Sequence, residues 1–88
     1  MVRQRFAYMS FTVYILQSTK TKRYYTGVTS DLGKRLQRHN TGRNTSTRGR
    51  GPWKIVYQEA FETKSQALKR ERQIKRYKGG KAFYNLLS

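Results

Sequence analysis

Positions 11–17, F-T-V-Y-I-L-Q, are dense in β-branched and aromatic side chains, as a strand requires. A polar stretch follows at 18–22, and 23–28, R-Y-Y-T-G-V, returns to strand character. So short a polar connection between two such runs predicts an antiparallel hairpin. Gly27 interrupts the second run, and glycine inside a strand marks a bulge or a close approach to the backbone by another group. Helical spacing then takes over. Thr29, Ser30 and Asp31 offer capping oxygens, Leu32 and Leu36 recur four residues apart, and Gly42 stands where a helix reaching Asn40 would stop. Positions 41–52 contain Gly42, Gly49, Gly51 and Pro52 among Arg43, Arg48 and Arg50, and read as a basic, mobile loop. Positions 53–61 suit a third strand, with Trp53, Ile55 and Tyr57 on one face and Val56 on the other.

Thr63 and Gln66 form a capping box at the start of a second helix, which runs to about position 77. Gly79-Gly80 breaks it, and a short helix over 82–87 can turn Phe83 and Leu86 back onto the domain. The element order is ββαβαα. It predicts an α+β fold, a three-stranded antiparallel sheet flanked by helices. A chain of 88 residues holds one core, so we expect an N-terminal extension over 1–10 and a single domain over 11–88. There is no cysteine, which excludes disulfides and cysteine-bound zinc and fits a reducing cytoplasm. No apolar run approaches the ~20 residues of a membrane span. Arg3 and Arg5 are not followed by the long apolar run of a secretory signal, so the expected location is cytoplasmic.

Charge changes the picture more than size does. Twenty Lys and Arg face four Asp and Glu, a formal net charge of +16. Such self-repulsion works against a compact state, which calls for an anionic partner. Nucleic acid, an anionic membrane surface and an acidic protein all qualify. The first is favoured, because lysine and arginine bind phosphates and release condensed counterions. No strongly amphipathic terminal helix supports the membrane.

The four acids can be weighed one by one. Asp31 suits a helix N-terminus, Glu59 lies in or beside a strand, and Glu62 precedes a helix. Glu71 differs, because it stands inside the second helix with Ala67, Leu68 and Ile74 at i−4, i−3 and i+3. A carboxylate along that apolar stripe needs a cation. Two readings stand: an i,i+4 pair with Lys75, or a bound metal ion. Arg35 and His39 share a face of the first helix. His39, the single histidine, is either a solvated side chain at a helix C-terminus or an imidazole that moves a proton beside a phosphate-binding guanidinium. Tyr14 and Tyr25 lie on either side of the hairpin and can project from one face as cross-strand neighbours.

Together these residues resemble the GIY-YIG nuclease family. The first motif stands as Thr12-Val13-Tyr14 and the second as Tyr25-Thr26-Gly27. Arg35 follows on the first helix, His39 one turn on, and Glu71 on the next helix, while Asn85 matches a late asparagine of some members. Three positions depart from the pattern: Thr12 replaces its Gly, Thr26 its Ile, and Val28 a Lys of the excision-repair branch. The likeness is strongest to small stand-alone bacterial members.

The resemblance implies a metal-dependent endonuclease acting in DNA repair or recombination. It implies one Mg²⁺ or Mn²⁺ ion held by Glu71. Arg35 would hold non-bridging oxygens, and Tyr14, or else Tyr25, would take the proton of the attacking water. His39 would shuttle protons or bind phosphate, and Gly27 would admit the substrate close to the sheet. Arg43, Arg48, Arg50, Lys75 and Asn85 are the further substrate contacts expected. The expected partner is DNA ahead of RNA, with a separate protein supplying specificity and the chain itself a monomer or weak dimer. The rival expectation is a catalytically inactive basic module that binds DNA or RNA.

Overall fold

The structure is a computed structural model and describes residues 10–44 and 47–88. The expected N-terminal extension lies outside the described residues, Ser10 apart. Strands β1 (Phe11–Ser18) and β2 (Tyr24–Thr29) are followed by helix α1 (Leu32–Asn40), strand β3 (Trp53–Phe61) and helices α2 (Lys64–Tyr77) and α3 (Lys81–Leu87). All pairing is antiparallel and the strand order is β2-β1-β3, so the expected α+β architecture is present.

The central place of β1 explains its sequence. A strand covered on both faces reads as a continuous apolar run rather than an alternation, and Val13, Tyr14, Ile15 and Leu16 are all buried. Val13 and Ile15 pack with Ala67, Ile74 and Phe83 of the two later helices. Tyr14 and Leu16 pack on the opposite face with Trp53, Tyr25, Ile55 and the α1 residues Leu32 and Leu36.

The strict alternation expected of β3 does not hold. The register shifts between Ile15↔Tyr57 and Leu16↔Ile55, so Val56 forms a bulge. One extra residue reverses the facing of everything beyond it. Trp53 and Ile55 keep to the α1 side, while Tyr57 joins Val56 and Phe61 on the other.

The caps follow local chemistry. Asp31, of the three candidates, caps α1 by accepting from the Lys34 backbone N–H at 3.1 Å. Thr63 and Gln66 cap α2 reciprocally, at 3.1 and 3.2 Å. Lys78 ends α2 in the left-handed region at φ 50°, one residue ahead of the expected glycine break. Among the described residues no helix is long and apolar enough to cross a membrane.

Candidate functional site

The site begins with strand register. Tyr14 stands directly opposite Gly27. A Cβ on Gly27 would lie 2.5 Å from the Tyr14 hydroxyl and 2.7 Å from its Cζ. The phenol therefore crosses over β2, and the glycine is required by Tyr14 itself. Tyr14 is thus the group whose close approach to the backbone a glycine within this strand marks. Tyr25 lies diagonally across the ladder, its ring centroid 6.4 Å from that of Tyr14 and 4.8 Å from that of His39.

His39 closes the arrangement from the last turn of α1. It is 1 % exposed, which overturns the solvated reading. Its Nε2 is 3.1 Å from the Tyr14 hydroxyl, and its Nδ1 is 2.8 Å from Thr47 Oγ1. Burial pushes the imidazole below its ordinary pKa, and the Arg35 and Arg38 charges act in the same direction. The ring is consequently neutral at pH 7. Burial also pushes the Tyr14 phenol up to about 12, and Tyr25 and Glu71 add to this. Arg35 opposes them, favouring the phenolate. Arg35 and Glu71 thus both act on one phenol with opposite sign, so Tyr14, Tyr25, Arg35, His39 and Glu71 share one electrostatic neighbourhood.

Of the two readings of Glu71, the i,i+4 pair with Lys75 is the one present. Its carboxylate is largely withdrawn from solvent, and Oε2 pairs with Lys75 Nζ at 3.2 Å. Lys75 is well exposed. Among the described residues no three His, Cys, Asp or Glu side chains form a metal-binding group. An ion here would have one protein carboxylate and would take its other ligands from water or substrate. Hard, strongly hydrated Mg²⁺ or Mn²⁺ fits such a donor set; zinc, which favours nitrogen and sulfur, does not.

The other expected contacts lie further out. Arg43 lines a surface cleft of about 320 Å³ on the outer side of α1, with Lys34, Gln37, Arg38 and Thr41. Arg48 Nε donates to the Gly42 carbonyl at 3.0 Å, and the Arg50 carbonyl accepts from the Ser18 hydroxyl. Asn85 is exposed on α3, and the hydrogen bonds joining Tyr14, His39 and Thr47 do not reach it. Arg70 is tied to Glu59 at 3.0 Å and to Gln73 at 2.8 Å.

Sequence reasoning missed Thr47. It sits in the basic loop expected to be mobile, yet it is buried against His39. No periodicity marks a lone threonine among glycines and arginines. Trp53 was legible as a strand residue but not as the anchor of that loop.

This geometry sits within a wider likeness. Residues 10–85 match the GIY-YIG catalytic domain. UPF0213 proteins of Staphylococcus aureus strains Mu50 and N315 are each 45% identical over 69 residues, covering 77% of this chain and 83% of theirs. A solution NMR structure of a UPF0213 protein from Bacillus halodurans is 33% identical, with a TM-score of 0.48 over 85% of this chain and 92% of that one. With its motif tyrosines, arginine, histidine and glutamate in one neighbourhood, the chain belongs to the GIY-YIG catalytic domain family, a family of nucleases.

Proposed function

We propose that this protein is a divalent-metal-dependent endonuclease that hydrolyses phosphodiester bonds in DNA and is structure-selective or weakly sequence-selective. The observation that carries the reading is the buried Tyr14–His39 hydrogen bond, at 3.1 Å, beside the charges of Arg35 and Glu71.

Hydrolysis needs a base for the attacking water and neutralisation of charge on the phosphate. Tyr14 is a poor base while protonated, and His39 is the group within reach of its proton. Transfer of that proton to Nε2 is uphill, from a raised phenol to a lowered imidazole, and relies on positive charge beside the phenolate. The phenolate takes a proton from water as the water oxygen bonds to phosphorus and the P–O bond to the leaving oxygen breaks. The leaving oxygen is protonated by solvent, and His39 returns its proton to solvent. Arg35 holds the non-bridging oxygens and favours the phenolate by its charge. Glu71 is the residue to hold a divalent ion, and Lys75 stands there as the exchangeable cation. When bound, the ion supplies further positive charge at the phosphate.

The +16 net charge supports a polyanionic substrate. Contacts from lysine and arginine to phosphates position a backbone without reading bases, which supports selectivity for shape. The wider role fits DNA repair or recombination, with specificity supplied by a partner protein.

The test is cleavage of a labelled panel of single strand, duplex, flap and four-way junction, with Mg²⁺, Mn²⁺ or chelator. Wild type and Glu71→Ala are compared, and binding is measured for both. Metal-dependent cleavage by wild type, abolished in Glu71→Ala while binding survives, is the expected result. Binding without cleavage in any metal would overturn it in favour of the inactive binding module.

A further inference from the structure

We infer that Thr47 is a positioning residue: its hydroxyl fixes the tautomer of His39, so that Nε2 is left bare to accept the Tyr14 proton. The inference rests on the nuclease reading only for its kinetic consequence.

A neutral imidazole has one N–H and one bare nitrogen, and its neighbours decide which is which. From β1 and β2 His39 faces Tyr14 and Tyr25, from its own helix Arg35 and Arg38, and from the loop Thr47. The arginines can only donate. Thr47 Oγ1 lies 2.8 Å from Nδ1 and 3.4 Å from the Asn44 carbonyl oxygen. That carbonyl can only accept, so the Thr47 hydrogen is directed to Asn44 and the oxygen lone pairs face Nδ1. The proton then belongs on Nδ1, and Nε2 faces the Tyr14 hydroxyl as an acceptor. The chain Tyr14 O–H to His39 Nε2, His39 Nδ1–H to Thr47 Oγ1, Thr47 O–H to Asn44 uses every hydrogen once. The opposite direction leaves the contact with Asn44 unmade.

The loop is built to hold that hydroxyl in place. The Trp53 indole N–H donates to the Thr47 carbonyl at 3.2 Å. Trp53 is in turn clamped to the end of α1, its backbone N–H donating to Asn40 Oδ1 at 2.6 Å and its carbonyl accepting from Asn40 Nδ2 at 3.3 Å. Thr47 N–H donates to the Asn44 carbonyl at 3.1 Å. The hydroxyl is therefore referenced to both α1 and β3, the elements on either side of the loop. Orienting groups of this kind commonly carry a large share of a site's activity.

His39 is the single histidine, so its two ring nitrogens give an unambiguous NMR signature. Nitrogen NMR at about pH 8, above the ordinary histidine range, should show the Nδ1–H tautomer in wild type. Thr47→Val, which keeps the shape and loses the hydroxyl, should give mixed tautomers and cleave about 10-fold more slowly or worse, with oligonucleotide binding unchanged. Thr47→Ser should restore both. An Nε2–H tautomer in wild type overturns the inference, even if the valine variant does not fold. So does a valine variant with wild-type tautomer and rate. A wild-type Nδ1–H tautomer that is lost in Thr47→Val, with no DNA cleavage by any sample, would uphold the positioning role and defeat the nuclease reading alone.

Discussion

The phenol of Tyr14 fills the space in which any side chain at Gly27 would begin, because the two residues face each other across the β1–β2 ladder. Gly27→Ala forces the ring aside or the strands apart. Overpacking of this kind costs about 1–3 kcal/mol, readable as a lower denaturation midpoint in urea. Displacing the hydroxyl also breaks its contact with His39, so cleavage should fall well below wild type while DNA binding persists. Wild-type cleavage by Gly27→Ala would show that the reaction does not depend on where the phenol sits.

The buried pair also sets a pH response. In the folded chain His39 titrates below its ordinary value of 6.5. Below that value the unfolded chain binds a proton that the folded chain resists, so stability declines as pH falls through the mid-6 region and is fully present above it. Tyr14 works in the other direction. Its folded value is about 12 against an ordinary 10.0, so stability is complete below pH 10 and is lost as pH rises towards 12. Catalysis should share the acid limb, since a protonated His39 cannot accept from Tyr14. His39→Gln should flatten the acid-side loss in both melting and cleavage profiles.

Arg70 and Glu59 form an ion pair between α2 and β3. Their 3.0 Å contact is joined by the Tyr57 hydroxyl, which donates to the same Glu59 oxygen at 2.6 Å. The side chains are partly exposed, so removing the cation by Arg70→Met should cost only about 1 kcal/mol. The melting temperature should drop slightly while the cleavage rate and its salt dependence stay as in wild type. A weakened salt dependence would instead place Arg70 against phosphate.

Arg43 is predicted to show that phosphate signature. It is exposed beside Lys34 and Arg38 along the cleft on α1. Each phosphate contact contributes roughly 0.9 to the slope of log affinity against log salt. Arg43→Ala should reduce the slope by about one contact, equally for all sequences, without altering the Tyr14–His39 pair. Fluorescence-anisotropy titrations at several salt concentrations measure it.

Much of this molecule is local and could be read from the chain. The strand composition of 11–17, the capping box at Thr63 and Gln66 and the i,i+4 leucines of α1 each express a preference satisfied within a few residues. The fold class followed from their order. The candidate site residues were chosen because the motif tyrosines, Arg35, His39 and Glu71 resemble a known set; spacing alone left His39 and Glu71 each with two readings. The bulge at Val56 escaped, since it is defined by how β3 pairs with β1 and the sequence of β3 alone shows no extra residue.

By itself the sequence determined the basic charge and the elements, because composition and periodicity act within a turn or a strand. Only the tertiary structure decided that β1 lies in the centre, that the Tyr14 phenol crosses Gly27, and that His39 is buried between Tyr14 and Thr47. Tyr14 and His39 are 25 residues apart, and His39 and Thr47 are separated by a helix end and a loop. Such contacts form when the sheet and α1 close together and exclude water. Hydrogen bonding then becomes obligatory for the buried groups, and their protonation is set by neighbours that are distant in the chain.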